Sequence, residues 1–252
     1  MSPGCGTTRS REIAADSCEV RRSNERLQNS VRKRRTGTLF VMPNRRVWFW
    51  LIACVIGIVA LAVAFWLDPV AHNWVVDHRN RQVRMFMAAV SRYGDWPTHV
   101  LLGFLMLGVT WWRGQKKWAR VFLAMLVACA LAGVTTRVIK IGAGRARPSV
   151  QTEVAWSGPQ LSSKFHSFPS GHTASSTAFF AVLLFVSWRI GLACLVIPLL
   201  IAFSRMYVAA HYLSDVVAAA ILGVLCAYLV VRLMKLKLPS TLNVSNAERR
   251  IK

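Results

Sequence analysis

The chain has 252 residues, 54% of them hydrophobic and 17% charged, with a mean hydropathy of +0.40. Soluble domains carry charge on roughly a quarter of their residues, so this composition excludes an ordinary water-soluble enzyme, a disordered chain and a collagen-like rod. Lys and Arg number 32 against 10 Asp and Glu, a net charge of +22; joined to so much apolar residue, that charge fits a membrane protein and no nucleic acid partner.

Residues 1–46 hold eleven Lys/Arg and four acids without apolar periodicity, the pattern of a disordered, basic, cytoplasmic tail. The Arg32-Lys33-Arg34-Arg35 cluster reads as a topology-setting flank because an apolar helix follows. Met42, ahead of Pro-Asn-Arg-Arg, is a natural alternative start. Val47 to Leu67 contains no charge over 21 residues, about 31 Å as a helix, one bilayer core. Its Trp- and Phe-rich end does not suit a cleaved signal peptide. Within 68–96, Trp74, Val83, Phe86, Met87 and Val90 recur at helical spacing against His78, Arg79, Arg81 and Arg84, which predicts a short interfacial helix. Pro97 to Trp112 is a second span, Arg113 to Lys117 a basic turn, and Trp118 to Thr136 a third span. Thr173 to Phe203 holds one charge, Arg189. As a single helix it would reach about 46 Å, so it is read as a hairpin turning at Trp188 to Gly191, with Pro198 kinking its second arm. Val216 to Val231 is the last span, and 235–252 is a second basic cytoplasmic tail.

The fold class is therefore all-α, a six-helix transmembrane bundle over 47–234 with an interfacial helix between helices 1 and 2. Placing both termini in the cytoplasm puts 22 of the 32 Lys/Arg on that side, as the positive-inside rule requires. The six Cys show no metal-ligand spacing. Cys5 and Cys18 lie in the tail, and Cys54, Cys129, Cys194 and Cys226 read as packing residues in apolar runs.

Three polar pieces collect on the opposite, outer face. Lys140 and Arg147-Pro148 are separated by six residues that include Arg145. Phe168-Pro169-Ser170-Gly171-His172 precedes the fourth helix. Ser204-Arg205 is followed after five residues by His211 and after three more by Asp215. Each piece alone has a bland reading: interface anchors, a helix cap, a structural His–Asp pair. Ionisable groups at membrane depth cost roughly 2.5–3.5 kcal/mol each on insertion scales, however, and the hairpin brings His172 and His211 to one side. Lys140, Arg147 and Arg205 suit a tetrahedral oxyanion, and Ser170 and Gly171 add neutral donors at a helix N-terminus. The histidines suit nucleophile and acid roles, and Asp215 lies one helical turn from His211. Asp215 is the one acid in these pieces, so no metal site and no cofactor are expected.

These residues resemble the type 2 phosphatidic acid phosphatase superfamily, which includes the vanadium haloperoxidases. Its motifs Lys-x6-Arg-Pro, Pro-Ser-Gly-His and Ser-Arg-x5-His-x3-Asp are complete, in order, from Lys140 to Asp215, and the layout resembles the bacterial integral-membrane lipid phosphatases. The resemblance implies that His211 attacks phosphorus to give a phosphohistidine, that Asp215 orients His211, and that His172 protonates the leaving alkoxide and then activates water. It implies that Lys140, Arg147, Ser170, Gly171 and Arg205 bind the phosphoryl oxygens and that no metal is used. The expected activity is hydrolysis of a lipid phosphomonoester or diphosphate at the outer face of a bacterial inner membrane, with the site facing the periplasm or exterior. Arg145, Lys164 and His166 are candidate auxiliary groups for a second phosphate. The rival functions are a vanadate-dependent haloperoxidase, a lipid-binding membrane protein with a relic site, and a transporter.

Overall fold

A computed structural model describes residues 45–150 and 152–236. The expected tails lie outside the described residues except at 45–46 and 235–236, as do Met42, Cys5 and Cys18. The chain divides into two compact units, Met1–Ile52 and Ala53–Lys252. Of the first, the described part is the opening turns of a helix, 45–52. Everything below concerns the second.

The described residues form eight α-helices, one 3₁₀ turn and no strand. They are α1 (Arg45–Asp77), α2 (Arg81–Tyr93), α3 (Trp96–Trp112), α4 (Lys116–Ala143), α5 (Gly171–Val186), α6 (Trp188–Cys194), α7 (Val196–Tyr207) and α8 (Leu213–Leu233), with the 3₁₀ turn at Ser163–Phe165. The all-α expectation holds. Four stretches are long and apolar enough to cross a membrane: Val47–Asp77, Lys116–Ala143, Trp188–Tyr207 and Leu213–Leu233. The other two expected spans, α3 and α5, have 17 and 16 residues.

Three boundaries differ from expectation. α1 runs ten residues beyond Leu67, through Asp68 and Pro69 to Asp77. The Asp68 carboxylate is buried and paired with Arg145, so the charge that reads as a span end lies within a continuous helix. α4 continues past Thr136 to Ala143, so Lys140 rides on its last turn. The hairpin turns at Ser187, where the backbone is extended, three residues before the middle of the expected turn. Gly191 is pressed onto the end of α5, where a Cβ would lie 2.1 Å from Leu184 Cα. The break between α6 and α7 at Leu195 lies three residues before Pro198, which has no N–H to donate to the Cys194 carbonyl.

The core is built from small residues. Ala124, Ala128 and Ala132 of α4, Ala174, Ala178 and Ala181 of α5, and Ala219 and Ala227 of α8 have no exposed surface. Helices that share small residues approach closely, which is how packing is gained where lipid removes the hydrophobic drive between helices. Cys129 and Cys226 belong to this core, as expected for apolar packing residues. α1, by contrast, exposes an apolar surface along its length, from Val55, Ile58 and Val59 to Trp66 and Val70, which suits contact with acyl chains.

Gly223 of α8 faces α5. A Cβ there would meet the Ala174 carbonyl at 2.8 Å, Thr177 Cβ at 2.8 Å and Ala178 N at 2.9 Å. These two helices begin beside the second and third motifs, so their spacing sets the distance between those motifs. Gly223→Val should push them apart, costing about 1–3 kcal/mol in overpacking, and should lower activity along with the melting temperature in detergent. An unchanged melting temperature would count against this close approach.

α2 forms where the short helix between helices 1 and 2 is expected. Asn80 caps it, accepting from Gln82 N. Its polar side carries Arg81, Arg84 and Arg92, while Met87 and Ser91 are buried. Tyr207 at the end of α7 clamps its entry: the Tyr207 hydroxyl donates to His78 O at 3.1 Å and accepts from Asn80 N at 3.0 Å.

Candidate active site

The site is assembled where α4 ends, α5 begins, α7 ends and α8 begins. A backbone bond fixes the junction: Ser170 N donates to Asp215 O at 3.1 Å. This joins the second and third motifs directly and puts His172 and His211 on one side, as the hairpin requires.

The turn after α4 is made by Gly144, with φ +57. A Cβ there would lie 1.7 Å from the Gly158 carbonyl, so only glycine fits, and the backbone swings Arg145 and Arg147 away from the helix axis. The loop then folds back onto the turn. Ser157 N donates to Gly144 O, Arg147 N to Lys164 O and Ser167 N to Arg145 O.

Asp215 is the most enclosed member, with no exposed surface. Its Oδ1 accepts from Arg145 Nη1 at 2.6 Å. Its Oδ2 accepts from Ser167 Oγ at 2.5 Å and from Tyr212 N at 2.8 Å. His211 Nδ1 stands 3.6 Å from the same Oδ2, just beyond hydrogen-bond reach, and has no hydrogen-bond partner. Burial pushes the His211 imidazole down to about 3, with Lys140 and Arg205 adding to the shift and Asp215 opposing it. The ring is therefore neutral at physiological pH, as a nucleophile must be.

Lys140, Arg147 and Arg205 lie close enough to repel one another. Lys140 is 9% exposed and donates Nζ to His166 O at 2.9 Å. Arg205 Nη1 donates to Ser91 Oγ of α2. Arg147 Nε and Arg205 Nε are buried without a hydrogen-bond partner, and burial lowers the pKa of the Arg147 guanidinium. Buried unpartnered donors cost roughly 1–3 kcal/mol each, more when charged, and a cluster of them is satisfied at once by an oxyanion. Gly171 lies against the Lys140 stem, with room for a Cβ at 3.7 Å from Cε. Ser170 is the N-cap of α5, but its side chain accepts from no backbone N–H of the first turn; its Oγ accepts instead from Thr173 Oγ1 at 3.0 Å.

Of the auxiliary candidates, Arg145 and His166 are engaged within the protein. Arg145 is 7% exposed and both its Nη atoms are committed: Nη1 to Asp215 and to Ser214 Oγ at 2.7 Å, Nη2 to Asp68 at 2.7 Å. Its guanidinium also lies over the rings of Tyr212, Trp156 and Phe65, at 4.3, 5.0 and 5.2 Å from their centroids. His166 places Nε2 2.8 Å from Gln160 O and serves Lys140 through its carbonyl. Lys164 is exposed and contributes its carbonyl to Arg147. Arg145 and His166 are thus engaged within the protein, while Lys164 keeps an exposed side chain.

Sequence reading missed Asp68, Asp95, Ser91 and Ser167. Asp95, the N-cap of α3, holds Oδ1 3.4 Å from His172 Nε2. It is steadied by its bond from Trp96 N and by His99, whose Nδ1 is 2.9 Å from the Asp95 carbonyl. The expectation that Asp215 is the only acid nearby is corrected: Asp68, Asp95 and Asp215 all reach the site. Their available signal was being acids in a chain so short of them.

Comparison with known proteins agrees with this arrangement. The model of the PAP2 superfamily matches residues 121–238, which include all three motifs. Over 115 residues the chain is 35% identical to a lipid A 1-phosphatase of Rhizobium johnstonii, covering 42% of this chain and 44% of that protein. Over 108 residues it is 33% identical to a lipid A 1-phosphatase of Rhizobium etli, covering 39% and 44%. The matches thus span less than half the length of these curated relatives. A crystal structure of a transmembrane PAP2-type phosphatidylglycerolphosphate phosphatase from Bacillus subtilis superimposes with a TM-score of 0.56 at 22% identity, covering 73% of this chain and 95% of the other. The shared fold is that of an integral membrane protein, in keeping with the apolar helices described above. Over residues 121–238, the chain is thus similar to the PAP2 superfamily.

Proposed function

We propose that the protein is a metal-independent lipid phosphatase that hydrolyses a lipid phosphomonoester through a phosphohistidine. The observation that carries this is the pair of buried, unpartnered guanidinium nitrogens Arg147 Nε and Arg205 Nε, close to Lys140 and to each other and, with Lys140 and Arg205, close to His211. They describe a cationic cradle built for a tetrahedral anion next to a neutral imidazole.

In this reading the substrate phosphoryl group is gripped by Lys140, Arg147 and Arg205, with Ser170 and the Gly171 N–H completing the cradle. Asp215 holds the proton of His211 on Nδ1, which leaves the Nε2 lone pair free. Nε2 forms a bond to phosphorus as the bond to the lipid oxygen breaks, and protonated His172 gives its proton to that oxygen. Neutral His172 then takes a proton from water as the water oxygen displaces Nε2, releasing inorganic phosphate. Asp95, with Oδ1 3.4 Å from His172 Nε2, opposes the burial and the Arg205 charge that disfavour the protonated form. The three cations stabilise the charge on the equatorial oxygens, the role a metal plays elsewhere.

A monoester is preferred over a diphosphate because Arg145 and His166 are occupied within the protein. The lipid A 1-phosphatase relatives point to a glycolipid phosphate as the first substrate to try. Counting α3 and α5 as spans gives a six-span bundle over 47–234, flanked by basic tails. The positive-inside bias then places the termini in the cytoplasm and the site on the periplasmic face of a bacterial inner membrane. α2 would lie at that face, its arginines at headgroup level.

The test is phosphate release in detergent, with EDTA present, over a panel of lipid mono- and diphosphates, lipid A among them. Release that survives EDTA and ranks monoesters first is expected. No release from any lipid by protein that still binds tungstate would direct attention to peroxidase chemistry with vanadate. No tungstate binding would end the reading.

A pH prediction follows from the buried His211. The free imidazole stays neutral down to about 3, so it does not set an acid limb near the usual value of about 6.5. After correction for the substrate's own phosphate ionisation, near about 6, kcat/KM should hold level on the acid side. The alkaline limb, set by loss of the His172 proton, should lie below about 6.5, because burial and Arg205 lower that pKa against the pull of Asp95. A limb belonging to the enzyme near about 6.5 on the acid side would contradict the burial of His211.

A further inference from the structure

Asp68 belongs to none of the three motifs and lies outside the segment matched by the family model. It sits in α1 directly before Pro69 and is 6% exposed. Its carboxylate accepts three hydrogen bonds: Ser214 N to Oδ1 at 2.8 Å, Ser214 Oγ to Oδ2 at 2.5 Å, and Arg145 Nη2 to Oδ2 at 2.7 Å. It therefore reaches Asp215 by two routes. One is through Ser214, the preceding residue in the chain. The other is through Arg145, whose second Nη donates to Asp215. The rings of Tyr212, Trp156 and Phe65 enclose the guanidinium, so this is a dry, rigid carboxylate–guanidinium–carboxylate triad.

Charge gives the triad a purpose. An Arg145–Asp215 pair alone is neutral, and its field at His211 is small. Bond formation from His211 Nε2 to phosphorus develops positive charge on the imidazole, which needs a net negative neighbour. The second carboxylate restores one net negative charge while Arg145 fixes the orientation of Asp215. We propose that Asp68 is a positioning residue for the nucleophile, acting through Arg145 and Asp215 to keep the negative charge of Asp215 available to His211. This rests on the assignment of His211 as nucleophile.

The full-length protein, His211→Ala, Asp68→Asn, Asp68→Glu, Arg145→Gln and the double variant Asp68→Asn/Arg145→Gln would be compared in detergent. Binding-competent sites are counted by tungstate stoichiometry, and kcat is expressed per competent site. Asp68→Asn, which leaves the triad neutral, is expected to lose about 100-fold in kcat with KM within about threefold. Asp68→Glu keeps the charge and should stay within about tenfold of the parent. Arg145→Gln leaves two facing carboxylates and should reduce the number of competent sites. The double variant restores one net negative charge and should regain about tenfold over Asp68→Asn. A packing role predicts the reverse order, since the double variant strips Asp215 of its partner. Full kcat in Asp68→Asn, a double variant worse than Asp68→Asn, or loss of tungstate sites in step with activity would each overturn the proposal. An active parent with inactive His211→Ala secures the underlying assignment independently; an inactive parent would remove that assignment and the proposal together.

Discussion

His211→Ala is expected to abolish turnover, with a loss of about 10⁴-fold or more in kcat, while tungstate binding is retained. The cradle cations Lys140, Arg147 and Arg205 are untouched by the change, so the anion still has its partners. The fold should survive as well. His211 is 3% exposed and its Nδ1 has no hydrogen-bond partner, so the substitution removes a buried polar atom that no hydrogen bond satisfies. His172→Ala gives the informative contrast. Loss of a general acid costs about 10²–10⁴-fold, but much less for an ester with a good leaving group, which needs no proton. His211→Ala should therefore fail on lipid phosphate and on p-nitrophenyl phosphate alike, whereas His172→Ala should recover most of its loss on the activated ester. Turnover of the activated ester by His211→Ala would assign the nucleophile elsewhere.

The catalytic constellation was legible in the sequence because its members lie at fixed short spacings and because a span count placed them on one face. His211 and Asp215 need only one helical turn to meet. Lys140, Arg147 and Arg205 needed only the hairpin between α5 and α7. What was not legible is pairing across long separations. Asp68 bonds Arg145 at a separation of 77 residues and Ser214 at 146. From sequence, an acid closing an apolar run marks the membrane surface. In the fold it is neutralised by a partner from another helix, and α1 continues through it. The partners of Arg145 were hidden for the same reason. A cation between two motif cations looks available to a second phosphate until its carboxylate partners are seen.

The same blindness hid the contribution of α2. Its amphipathic pattern fixed its place at the interface but not its relation to the site. Ser91, a small polar residue on its buried side, bonds Arg205, and Tyr207 ties its entry to the end of α7. The amphipathic helix α2 thereby holds one of the three cations of the cluster. Asp95, which follows it, faces His172. This wall of the site is thus built by residues that no motif contains.

Asp215→Asn is expected to lower kcat by about 10³–10⁴-fold with the protein still folded. Every group facing Asp215 is a donor: Arg145 Nη1 at Oδ1, and Ser167 Oγ and Tyr212 N at Oδ2. An amide NH₂ in either position meets a donor. With NH₂ at the Oδ2 position, Ser167 can rotate its hydroxyl to accept, but the Tyr212 N–H cannot. His211 Nδ1 would then face a donor as well and would carry its proton on Nε2, the atom that must attack phosphorus. With NH₂ at the Oδ1 position it opposes Arg145, and the nucleophile keeps its tautomer but loses its negative neighbour. Folding survives either outcome because Asp68 still neutralises Arg145, so no bare charge is left buried. The loss should exceed that of Asp68→Asn, which removes the net negative charge but leaves the Nδ1–H tautomer in place. Measurement of kcat per tungstate-binding site for the two variants side by side tests that ranking; an Asp215→Asn protein within about tenfold of the parent would reduce Asp215 to a structural cap of α8.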